Sequence, residues 1–175
     1  MSTMYDAVWE VGDSSELLRK ALKSYIDYWR AQTEYKSLLP RQHIRVVMEG
    51  EKQHAGITIL LKTEKSPTQA WPFDIPVGDN SGKGALEEYH TIGIVVKSDK
   101  KSGGAEAASK THNVLQSLFM ARPDSTAKGD LISRGIYNVT EAQESLNIDP
   151  GSEDDEGASY SKQITLNCST VILID

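Results

Sequence analysis

One cysteine, Cys168, stands in a chain of 175 residues. That excludes an intramolecular disulfide and any cysteine-rich zinc site, and it fits a reducing cytosol. No apolar run approaches the ~20 residues that a membrane-spanning helix needs. Residues 1–10 hold acids and no apolar core, so they do not read as a signal peptide. A soluble protein made in the cytoplasm is expected. Cations are in the minority: 19 Lys and Arg face 25 Asp and Glu, for a formal charge of -6. Tight nonspecific duplex binding runs on clustered Lys and Arg, which this balance disfavours. An acidic wall can still line a passage for nucleic acid, because it repels the polyanion and does not hold it.

The motifs of common chemistries are missing too. Residues 98–104 (Ser-Asp-Lys-Lys-Ser-Gly-Gly) join a predicted strand to a predicted helix. Glycines and free amides at a helix start suit phosphate, but neither GxxxxGK[ST] nor GxGxxG spacing is present. The segment reads as a solvated turn that caps the helix. His43, His54, His90 and His112 are the only histidines, and none shows HExxH spacing. They read as scattered surface or edge residues. Cys168 falls on the apolar side of a strand and reads as a small buried hydrophobe. Glu87 and Glu88 are adjacent on a strand, so they face opposite ways and make a poor acid–base pair. No catalytic, metal or cofactor site emerges, and the expectation is a protein that is not an enzyme.

What the chain does have is pattern. The stretch 160–173 alternates with period 2: Ile164, Leu166, Cys168 and Ile172 on one side, Gln163, Thr165, Asn167 and Ser169 on the other. Fully extended it reaches roughly 45 Å, far beyond a common strand. Near the start, Asp13 with Glu16 resembles a capping box. Behind it Leu18, Leu22, Tyr25 and Trp29, widened by Leu17, Ala21 and Ile26, mark an amphipathic helix of about five turns that Pro40 stops. Strands are predicted at 42–49 and 55–63, with hairpin-length residues 50–53 between them. The second is apolar on both faces and belongs inside a sheet. Residues 87–97 read as a third strand and 105–120 as a second helix. A short strand is expected near 135–139, and a helical turn over 141–147.

Residues 64–86 hold Pro67, Pro72, Pro76 and several glycines and read as a long excursion, a length that is usually functional or disordered. Its Trp71, Phe73 and Ile75 are candidates for an interface, since aromatics favour interface centres; the alternative is that the loop folds back and hides them. Tyr5, Val8 and Trp9 form a second patch with the same two readings. Residues 149–157 read as a loop carrying Glu153, Asp154, Asp155 and Glu156. It is either a solvated loop or a charged rim or lumen surface in an oligomer, and it lacks the ligand order of a calcium loop.

The layout resembles the tail terminator family of long-tailed bacteriophages, and more loosely the related neck and tail-completion proteins. The resemblance rests on the opening helix 14–30, Pro40 leading into Ile44-Arg45-Val46-Val47, the turn and helix of 97–119, and the closing strand 160–171. It implies a mixed sheet with helices packed on one face. It also implies a ring, commonly six-fold, that sits on the tail tube, stops its growth and offers a face to the head connector. DNA then passes through the lumen without specific binding. The two long loops exceed those of the smallest members.

The resulting expectation is an α+β fold: a single, mostly antiparallel mixed sheet, two main helices on one face and a long C-terminal strand. One domain spans 1–175, with 64–86 and 149–157 as extended loops. The expected function is a structural virion protein at the head–tail junction, a homohexamer with the tail tube protein and the head–tail connector as partners, no cofactor and no membrane. The alternatives are another neck, head-completion or tail tube protein; a small nucleotide-binding or enzymatic α+β domain; and a toxin- or immunity-type binding module.

Overall fold

A computed structural model describes residues 5, 7–10, 12–41, 43–51, 56–142 and 159–174. The acidic run Glu153, Asp154, Asp155 and Glu156, the loop 149–157, His54 and most of the helical turn expected over 141–147 lie outside the described residues. The first element is the helix Ser14–Arg30 (α1). Asp13 caps it by accepting from the Ser15 and Glu16 amides. Glu16 does not reach back as in a full capping box; its carboxylate turns to Lys20 one turn on, at 3.0 Å. Of the predicted stripe, Leu18, Leu22, Tyr25 and Ile26 are fully enclosed, while Leu17, Ala21 and Trp29 are half-buried.

Five strands follow in one sheet: Ile44–Met48 (β1), Ile57–Asp74 (β2), Gly84–Asp99 (β3), Tyr137–Glu141 (β4) and Ser159–Leu173 (β5). Their spatial order is β1-β2-β3-β5-β4. Only the β1–β2 pair is parallel; β2–β3, β3–β5 and β4–β5 are antiparallel. The helices Gly104–Phe119 (α2) and Thr126–Ser133 (α3) complete the order. Residues from α1, α2 and all five strands share one apolar core on the helix-bearing face of the sheet. The fold is therefore α+β, with a mixed sheet, two main helices on one face and a long last strand. A row of Val47, Leu60 and Val95 crosses the opposite face as a small separate cluster.

Two expectations are corrected. Residues 50–53 do not turn a hairpin, because β1 and β2 run parallel, with Ile44 beside Ile57 and Met48 beside Leu61. The chain returns to the starting end of β1 before β2 begins, where the Gly56 amide is held by the Asp99 carboxylate at 2.8 Å. Nor are residues 64–86 a loop. Most of that span is the distal half of a long β2–β3 hairpin, irregular at the turn after Asp74 and at a register shift between Lys65 and Ala70. Pro67 and Pro72 suggested a break, but β1 stops opposite Leu61, so the far part of β2 has no described partner on its outer edge. Proline is tolerated on such an edge and at bulges, and the β2–β3 register shifts between Lys65 and Ala70, around Pro67.

β4 was expected slightly earlier, and α3 was not expected. α3 is short, contains Gly129, and buries only Ala127 and Leu131, too brief a pattern to stand out. Its start is set by Ser125, whose hydroxyl accepts from the Lys128 amide. Gly103, at φ 104°, closes the turn before α2. A Cβ there would lie 2.9 Å from the Ala107 Cβ, so only glycine fits. Beyond the starting end of β4, Trp9 takes over the edge of β5 through a parallel bridge to Ile172. Its amide donates to the Val171 carbonyl at 2.8 Å and its carbonyl accepts from Leu173 at 2.7 Å.

Candidate interaction surface

The far end of the β2–β3 hairpin lies outside the helix-packed core. It has an apolar cluster of its own, formed by Ile75, Ala85, Tyr137 and Val171, with Tyr5, Val8 and Phe73 packed against it. The turn is closed by the Ile75 amide on the Lys83 carbonyl (3.0 Å) and the Gly82 amide on the Ile75 carbonyl (2.8 Å). The Tyr137 hydroxyl donates to the Ala7 carbonyl and holds the N-terminal segment over this cluster.

The three interface candidates separate here. Trp71 is 63 % exposed, whereas Ile75 is 1 % exposed. Phe73 is half-buried, its ring 5.9 Å from that of Tyr5. Ile75 is thus corrected from contact residue to anchor of the hairpin end, because the N-terminal segment and β5 already enclose its cluster. Trp71 and Val77 are the exposed large hydrophobic side chains of this part of the hairpin. Trp9 and Val8, the second candidate patch, fold onto the chain itself.

On the helix-bearing face, the same strands carry a polar cluster that the sequence did not announce. Lys65 Nζ lies 2.5 Å from Glu88 Oε1. Glu88 Oε2 lies 3.6 Å from His90 Nε2, which is also 3.2 Å from Thr170 Oγ1. Cys168 is the cross-strand partner of His90. His90 is therefore buried, not on the surface. Its register places it in line with Ile92 and Ile94, whose parity was the available signal. Burial holds the imidazole below its usual range, with Glu88 acting against that shift. Burial also pushes the Cys168 thiol up to about 12, which leaves it unreactive at neutral pH. Among the described residues no group of three or more His, Cys, Asp or Glu is placed to hold a metal. Glu88 and His90 are buried, whereas the Lys65 side chain reaches the surface.

Asp99 anchors the opposite end of the sheet. Besides Gly56 it accepts from the Ser102 amide at 2.7 Å, and these bonds, that of Gly56 first, hold its carboxyl below the usual range. The glycine-bearing segment read as a helix-capping turn is thus a short 3₁₀ turn, Lys100–Ser102, fastened to the sheet. Among the described residues no helix is long and apolar enough to cross a membrane. No protein-family model matches the chain, and no curated protein matches it in sequence.

Proposed function

We propose that this protein is a structural virion component that assembles as a ring on the end of a phage tail tube, halts its growth and joins it to the head connector. The observation that carries this reading is a mixed sheet with helices on one face, extended by a hairpin that displays Trp71 outside the main core. That architecture accords with the one the family resemblance implies. An exposed Trp at the end of a rigid strand pair is a low-entropy anchor for a partner. A head-to-tail contact with the right rotation closes into a ring, and one face of that ring is then unusable by the tube subunit. The location is the head–tail junction, with DNA moving through the lumen.

Light scattering and negative-stain microscopy of the full chain, alone and with tail tubes, test this. Closed rings, found also at tube ends, are expected. A compact monomer at every concentration with no rings beside tubes overturns it. So does unlimited self-polymerisation, which is the behaviour of a tube subunit.

A further inference from the structure

The outer side of α1 carries a groove of about 570 Å³ that does not belong to the hairpin surface. Lys20, Lys23, Arg41 and Arg134 line it, with Tyr28 on its wall and Asp27 as the one carboxylate in the lining. Arg134 is held over the Tyr28 ring at 5.4 Å from its centre, with its Nη1 on Ser24 Oγ at 2.7 Å. Its Nε is paired with Asp130 at 3.0 Å, and Lys20 with Glu16. Asp27 is engaged by Arg30 at 3.0 Å, and its carbonyl accepts from Arg41. Lys23 is exposed and has no carboxylate partner among the described residues. In a chain of charge -6, this is a cationic recess with an aromatic wall.

We propose that this groove receives the acidic run Glu153, Asp154, Asp155 and Glu156 of a second copy of the chain, so that one subunit is clasped to the next by charge. Charge complementarity within the one sequence is the argument. Four consecutive carboxylates match four lining cations. A donor segment and an acceptor groove formed by different parts of one chain make a heterologous contact, the kind that propagates around a ring. This inference rests on the ring reading above and specifies how its subunits recognise one another.

A synthetic peptide of residues 149–158, titrated into the full-length protein, reads the groove separately from ring formation. Binding is expected in about 50 mM salt, weakened about tenfold or more by K20E/K23E and by raising salt to about 500 mM. The single variant Lys23→Glu should give a smaller loss in the same direction, with unchanged circular dichroism. In the full chain, K20E/K23E should impair ring closure, and placing lysines at 153–156 in the same chain should restore it. Peptide affinity indifferent to K20E/K23E overturns the proposal, as does binding of a short DNA duplex in preference to the peptide. Rings that persist unchanged in K20E/K23E overturn the clasp and leave the ring standing. Peptide binding by a chain that never forms rings supports the groove's specificity and counts against the ring.

Discussion

Tyr25, in the middle of α1, donates its hydroxyl to the Leu118 carbonyl near the end of α2, a 2.7 Å bond between residues 93 positions apart. The ring lies 5.2 Å from that of Phe119, and burial, with Asp130 adding to it, raises the phenol well above its usual range. Carbonyls in the last turn of a helix lack partners within it, so this one bond joins the two main helices and completes a helix end. Tyr25→Phe should keep the packing and cost about 1–2 kcal/mol in urea unfolding. Tyr25→Ala should cost about 3–5 kcal/mol, since a cavity is added. Equal losses for the two variants would show that the hydroxyl contributes nothing separate from the ring's packing.

His90 should make the protein acid-sensitive. Its folded pKa is depressed from 6.5, so on acidification the unfolded chain takes up its proton first. The stabilisation is fully present above about pH 6.5 and is lost as pH falls through the folded value. The groups facing it are Glu88 on its own strand, Lys65 from β2, and Thr170 and Cys168 from β5. Denaturation midpoints measured between about pH 7.5 and 5 should therefore decline for the wild type. His90→Gln should flatten that decline. A wild-type curve that is flat across this window contradicts the assignment.

Gly135 should resist substitution. It sits at φ 85°, and an added Cβ would lie 2.8 Å from Trp9 Nε1. Gly135→Ala should destabilise by about 1–3 kcal/mol. It should also free the N-terminal segment from β5, seen as earlier protease cleavage before α1. Wild-type cleavage kinetics would mean that the Trp9 bridge does not depend on this close approach.

Trp71→Ala should separate folding from assembly. The side chain is 63 % exposed, so monomer stability should change by no more than about 0.5 kcal/mol. Ring formation or capping of tubes should fall about tenfold or more, as for an interface anchor. Unchanged assembly by light scattering would remove Trp71 from the interface.

Where one rule governed a segment, the sequence was informative. The α1 stripe follows from a single buried face, and so does the β5 alternation as far as Cys168; Leu18, Leu22, Ile164, Leu166 and Cys168 are all enclosed as expected, but Ser169, expected on the polar side, is buried too, because both faces of β5 are covered beyond Cys168. The hairpin was missed because Pro67 and Pro72 signal a break unless the strand is known to be an edge, and edge position is a property of the whole sheet. The parallel β1–β2 pairing goes with a bond from Gly56 to Asp99 across 43 positions, which local turn length cannot reveal. Trp71 was found as a candidate by its residue type, but its separation from Ile75 depends on which segments cover the hairpin end. The groove on α1 has no such signal, because Lys20 and Lys23 lie outside the apolar stripe and meet Arg41 and Arg134 only in the folded chain.

β3 has a structural consequence for how the chain is made. It pairs with β2 just before it, but its other edge waits for β5, with Ala85 joined to Leu173 and Asp99 to Ser159. During synthesis the middle of the sheet therefore emerges with an unsatisfied, β-branched edge at Ile92, Ile94 and Val96. It stays so until β5 has been made. Such distant pairing slows folding, and a nascent edge of this kind invites pairing with the wrong chain. Translation products that stop before residue 159 should accumulate as aggregates rather than as small soluble domains.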